Sequence, residues 1–166
     1  NLREANLTGA TLIGAWLTEN SVYTDLANSN LTNANFTNAN LSNANFLSAN
    51  LAGANFTDAN LAYTNLGDAL IVETIFTGAD LRGISMKYAN LAGLNLSGAN
   101  LSGGGLQQAN LSGADLSGAN LSYMAIQGAD FTGANLTNVD FTASGLNDSN
   151  LTAADLTGAI LLDTIL

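Results

Sequence analysis

The sequence predicts an all-β solenoid, a chain of short extended segments joined by corners and stacked coil on coil. Three observations point to it. From Leu26 to Leu166 every fifth residue is apolar: 29 positions fall in this register, all hold Leu, Phe, Ile or Met, and all six Phe are among them. The residue two places before each is Ala at 17 of 29 positions and Ser, Thr or Gly at eight more. The residue two places after is Gly, Asn or Asp at 20 of 28.

Each element of the repeat has a physical reason. A period of five fits neither a helix nor a long strand, because a helix would smear the apolar residues around its surface. It fits a short extended piece and a corner. With the central apolar residue called i, side chains at i−2 and i point the same way along an extended backbone. A small and a large apolar residue therefore share the inner face. Asn or Asp stands at i−1 in 21 of 29 repeats, facing outward. Gly, Asn and Asp at i+2 tolerate the positive φ of a corner. The block from Ala34 to Asn43 shows two such units: Ala-Asn-Phe-Thr-Asn, then Ala-Asn-Leu-Ser-Asn. One unit cannot bury its own apolar residue, so stacking must do it.

This Ala-(Asp/Asn)-(Leu/Phe)-(Ser/Thr)-(Gly/Asn) pattern resembles the pentapeptide repeat family, in particular its simple cyanobacterial and other bacterial members. It recurs over about thirty units, which makes the signal specific. The resemblance implies a right-handed quadrilateral β-helix with four pentapeptides, about 20 residues, per coil. The whole chain, 1–166, then forms one domain of about eight coils, roughly 40 Å long. Inner residues fall into four columns. One begins Phe36, Phe56, Phe76, whose rings are expected to stack.

Composition excludes several function classes. Cys and His are absent, which removes disulfides, thiolate chemistry, His acid/base catalysis and the usual zinc sites. The formal net charge is −10, and Arg3, Arg82 and Lys87 are the only cations, so no direct nucleic-acid binding is expected. No apolar run approaches the ~18 residues of a membrane span. The expected partner is a protein, with no membrane and no cofactor. The Asn-x-Ser/Thr sequons follow from the repeat itself. The chain opens at Asn1 inside a repeat, as a processed form or an excised fragment does. A cytoplasmic location is the default expectation, with periplasm or thylakoid lumen as alternatives if a signal peptide was removed.

Departures from the repeat are where specificity is expected. Leu2, Leu7, Leu12, Leu17 and Val22 form an earlier register, and Leu26 follows Val22 after four residues. This one-residue slip near 22–26 predicts a coil of about 19 residues, beside outward Trp16 and Tyr23. Leu70, Val72 and Ile75 occupy outward positions usually held by Asn, Thr or Ser. With Glu73, Arg82, Lys87 and Tyr88 they form the candidate interaction surface, an apolar cluster rimmed by charge. On another wall Ser85, Gly105, Ala125 and Gly145 replace Asn/Asp while Lys87, Gln107, Gln127 and Asn147 align, which predicts an axial amide ladder. Thr37, Thr57, Thr77, Ser97, Ser117, Thr137 and Thr157 form a hydroxyl column, read as cross-strand Thr pairing. The chain stops on an inner residue, with Ile160, Leu162, Ile165 and Leu166 nearby. Either the natural chain continues or two open ends stack as an end-to-end homodimer.

No catalytic, cofactor-binding or metal-ligating residue is expected, and the chain is not read as an enzyme. Six Asp stand at i−1, where Asn serves equally, and a repetitive wall offers no distinct environments to separate carboxylate pKa values. The principal reading is a non-catalytic protein-interaction solenoid. The alternative is a DNA mimic that binds DNA gyrase, as the resemblance implies for some members. Magnitude weighs against it, since ~40 Å of duplex carries about 24 charges.

Overall fold

The computed structural model describes residues 1–15, 17 and 23–166. The chain is a right-handed quadrilateral β-helix, held by one-residue parallel bridges between i−1 positions 20 residues apart, as in Asn30 with Asn50 and Asn35 with Asn55. We number the four faces by their inner residues. The first carries Leu31, Leu51, Ile71 and Leu91. The second carries Phe36, Phe56, Phe76 and Leu96. The third carries Leu41, Leu61, Leu81 and Leu101. The fourth carries Phe46, Leu66, Met86 and Leu106.

A backbone account explains the repeat position by position. Of its five N–H groups, three bond along the axis to adjacent coils: Leu31 to the Asn50 carbonyl at 2.8 Å, Asn33 to that of Ala52 at 2.9 Å, and Asn50 back to that of Ser29 at 2.9 Å. The fourth closes the corner, from Ala34 to the Leu31 carbonyl at 2.9 Å. The fifth, at i+1, has no backbone partner and donates to the Asn or Asp side chain at i−1, as Thr57 does to Asn55 Oδ1 at 2.9 Å. Position i−1 thus supplies an oxygen for a backbone donor that would otherwise be orphaned. Every described corner residue at i+2 has φ between 53° and 74°. Eighteen of them are not glycine, and nine of those are Asn or Asp, whose short polar side chains tolerate this region.

The inner columns pack as expected. Phe36 and Phe56 stack at 4.8 Å with rings 1° apart, Phe56 and Phe76 at 5.5 Å and 6°, and Phe46 meets Phe36 edge-on at 6.1 Å. Where Ser or Thr replaces the inner Ala at Thr64, Thr74, Ser144, Ser149 and Thr164, its hydroxyl donates to a carbonyl of the preceding coil, as Thr64 does to Leu41 at 3.0 Å and Ser144 to Leu121 at 2.6 Å.

The first coil corrects the expected slip. Asn6 pairs with Asn30 and Thr11 with Asn35, an offset of 24 residues where about 19 was expected and 20 is the rule. The departure near 22–26 is an addition of four residues, not a loss of one. The expectation counted Val22 as an inner residue. Among the described residues, the ladder sets Leu17 against Asn40 and next pairs Asp25 with Asn45. Val22 and Trp16 themselves lie outside the described residues. Tyr23 is 64% exposed.

Candidate interaction surface

The coil distributes the seven sequence-derived residues over all four faces. Leu70 and Val72 lie on the first face, Glu73 at the next corner and Ile75 on the second. Leu70, Val72 and Ile75 are 44%, 50% and 45% exposed. Lys87 lies on the fourth face with its Nζ 4.8 Å above the Tyr88 ring, at the corner leading back to the first. Arg82 does not join them. It stands on the third face, opposite Leu70 and Val72, and its Nε donates to Asp80 Oδ1 at 2.8 Å. That guanidinium bond holds the Asp80 carboxyl below its ordinary value. The grouping fails at Arg82 because twelve residues travel more than half way round a 20-residue coil. Ile160, Leu162, Ile165 and Leu166 are exposed on the third and fourth faces of the last coil.

Leu70 and Ile75 also remove two backbone partners, since neither side chain can accept a bond from Val72 or Thr77. At this coil the ladder parts. Leu70 still runs parallel to Asn90, but bridges between Ile75 and Asn95 and between Asp80 and Asn100 are absent. The N–H groups of Glu73, Phe76, Gly78 and Leu81 on one lip lack their axial acceptors, as do those of Asn95 and Asn100 on the other. Pairing resumes at Gly83, which donates to Ser102 at 2.9 Å, and at Ser85 with Gly105. Among the described residues this is the one internal break in the ladder. It opens a cleft of about 640 Å³ on the second face, between Thr74–Ala79 and Asn95–Asn100. A smaller cavity of about 320 Å³ adjoins it on the first face.

Leu94 accounts for the opening. It stands in the i−2 column that otherwise runs Ala54, Thr74, Ala114, Ala134, directly above Thr74. A large side chain over a branched one overfills the coil spacing. The fourth face shows the compensated case: Ile84 and Met124 flank Gly104, whose missing Cβ lets the coils close against the Ile84 backbone. A corner contact gives the same result. Asn33, Asp58, Tyr63 and Asn138 each crowd the glycine one coil above, whereas nothing lies within 4 Å of a Cβ placed on Gly93, above Glu73. Sequence reading missed Leu94 because any large apolar residue suits an inner position. Aligning the chain at a period of 20 exposes it beside Thr74.

The other walls carry two corrections. The expected amide ladder along Gln107, Gln127 and Asn147 is not formed among the described residues. Instead the Gln107 and Gln127 amides fold over Gly105 and Gly145, occupying the space of the missing side chains. Axial amide bonds occur elsewhere, as in Asn65 Nδ2 to Asn45 Oδ1 at 3.1 Å. In the Thr column, cross-strand pairing is replaced by hydroxyl bonds within the repeat at Thr37, Thr57, Ser97, Thr137 and Thr157, such as Thr37 Oγ1 to Asn35 Oδ1 at 2.6 Å. All four Tyr stand at or beside the edges of the fourth face, and Tyr23, Leu47 and Tyr63 line a shallow groove there.

The wall carboxylates serve the corners. Hydrogen bonds from the Thr132 hydroxyl and backbone hold Asp130 below its ordinary value, and Thr157 does the same for Asp155. Among the described residues no group of three or more Asp or Glu is placed to hold a metal ion, and no helix is long and apolar enough to cross a membrane.

A family profile described as pentapeptide repeats matches in 8 copies, over residues 1–19, 22–58, 40–78, 49–87, 64–103, 95–133 and 134–166. The chain belongs to the pentapeptide repeat family. No curated protein sequence matches it. Among solved structures it is similar to HetL, a pentapeptide repeat protein involved in heterocyst differentiation regulation from the cyanobacterium Nostoc sp. strain PCC 7120, at 27% identity over 99% of this chain and 88% of that one, TM-score 0.44. It is similar to QnrB1, a plasmid-mediated fluoroquinolone resistance protein, at 21% identity over 95% and 75%, TM-score 0.46. A pentapeptide repeat protein of the Arabidopsis thaliana thylakoid lumen is 33% identical over 65% and 61%, TM-score 0.34.

Proposed function

We propose that this chain is a non-catalytic protein-binding rod whose epitope is the strip Leu70, Val72 and Ile75, flanked by Glu73 and the Lys87–Tyr88 corner. The observation that carries it is the exposure of three large aliphatic side chains at successive outward positions beside the break in the ladder, the one internal break among the described residues. A solenoid that must only stack has no use for them there: Leu and Ile at i−1 forfeit an acceptor that Asn provides in neighbouring coils. The wall carboxylates support the non-catalytic reading, because Asp130 and Asp155 hold backbone and hydroxyl bonds at their own corners.

The test is the triple variant Leu70→Thr, Val72→Thr, Ile75→Thr, which keeps the fold by circular dichroism. Affinity capture from the native host should lose specific partners relative to the unaltered chain. An unchanged partner set sinks the epitope. Gyrase binding by duplex mimicry is disfavoured by the fourth face, which from Ser85 to Asn147 carries no carboxylate. A supercoiling assay showing inhibition at micromolar protein would reverse that judgement.

A further inference from the structure

Both lips of the cleft between the coils of Phe76 and Leu96 present backbone donors and acceptors in the register of a parallel β-ladder. Four N–H groups on the lower lip and two on the upper have lost their partners, and so have the six carbonyls they would meet. A small molecule with a few polar atoms cannot satisfy such a row, whereas an extended peptide backbone presents its N–H and C=O groups at the same repeat. The floor is apolar, formed by Phe76 and Leu96, with Thr77, Ser97 and Asn95 at the rim. Phe76 ends the aromatic stack, and its upper ring face meets no further aromatic side chain.

We propose that this cleft is a strand-acceptor site. It takes an extended segment of a partner protein, with a small or polar residue outward and an apolar residue inward, whose main chain completes the broken ladder. The proposal rests on the reading of the chain as a protein-binding rod and adds the form of the ligand. The smaller cavity on the first face continues the seat around the Glu73–Gly93 corner, so a segment of about ten residues spans both faces. The apolar strip at Leu70, Val72 and Ile75 lies along the lower lip, where the flanking side chains of such a segment would emerge.

Amide hydrogen exchange, read by NMR on the full chain, tests it. The probe is a capped synthetic peptide of sequence Ala-Asn-Phe-Thr-Asn-Ala-Asn-Leu-Ser-Asn, identical to residues 34–43. The control is the same peptide with alternate backbone nitrogens methylated, which keeps the side chains and removes ladder donors. In the free protein the amides of Phe76, Gly78, Asn95 and Asn100 should exchange much faster than that of Phe56. The unmodified peptide should slow them about tenfold or more, and the methylated one should not. If the four amides are as protected as Phe56 without any peptide, the ladder is closed in solution and the proposal is wrong. It is equally wrong if both peptides protect alike or neither does. Those failures leave the epitope standing provided the Leu70, Val72, Ile75 triple variant still loses its partners. Loss of no partner with ladder protection intact overturns the epitope alone.

Discussion

Replacing Leu94 with Ala should stabilise this protein, against the ordinary rule for an inner leucine. Leu→Ala in a packed core costs about 2–5 kcal/mol. Leu94, only 9% exposed, is a core residue by that measure. Here, however, it props open a ladder. With Ala restored to the column of Ala54 and Ala114, the coils can close, and six N–H groups regain carbonyl partners. At about 0.5–1 kcal/mol net for each bond, closure contributes about 3–6 kcal/mol. The two terms nearly cancel, leaving a net change centred on a gain of about 1 kcal/mol. Leu111→Ala is the control, because Leu111 is fully buried and its N–H bonds to Asp130 in an unbroken ladder. Urea unfolding followed by circular dichroism should show Leu111→Ala losing about 2–5 kcal/mol while Leu94→Ala loses nothing. Equal losses, with the Phe76 and Asn95 amides still exchanging rapidly, would refute both the cause of the cleft and the value of closing it.

Phe56→Ala should cost about 3–5 kcal/mol, because that ring is fully buried between two stacked partners and edge-on to Phe46; an unchanged urea midpoint contradicts the inward column. Gly104→Ala should destabilise by about 1–3 kcal/mol, since its Cβ would meet the Ile84 and Leu101 backbone, whereas Gly145→Ala meets only the mobile end of Gln127 and should cost much less. Melting temperatures that rank the pair the other way would overturn this account of the fourth face. Asp130 and Asp155 have carboxyls lowered by the hydrogen bonds of Thr132 and Thr157. Their contribution is present above the ordinary value of 3.8 and is lost as pH falls through the lower folded value. Asp130→Asn with Asp155→Asn should therefore leave the melting temperature at pH 7 nearly unchanged and flatten its decline below about pH 4. A large loss at neutral pH would show that the charge matters as well as the oxygen.

The sequence was most informative where one repeat suffices to decide. The inner place of Phe36, Phe56 and Phe76 and the corner role of Asn33 or Gly53 follow from spacing of five and the sterics of positive φ. Leu70, Val72 and Ile75 were legible as outward for the same reason. What could not be read locally was axial. The cleft depends on Leu94 standing above Thr74, 20 residues away, and neither residue is unusual within its own unit. Likewise the length of the first coil is set by the axial pairing of Asn6 with Asn30, 24 residues apart, which local spacing does not reveal. Arg82 lies near Val72 in sequence, although the coil sets them on opposite walls.

One consequence follows from the single oxygen that each corner demands of its Asn or Asp. Because both residues supply it, wall charge is decoupled from architecture. Exchanging the 15 Asn at these positions for Asp would carry the net charge from −10 to −25 with every corner bond retained. That is the density of about 24 charges on an equal length of duplex. The opposite exchange, of the six Asp for Asn, would leave a rod of nearly neutral walls. Repulsion between carboxylates one coil apart sets the upper limit. Electrostatic character in such a solenoid can therefore drift over a wide range under selection for a partner, while the backbone that displays it stays the same.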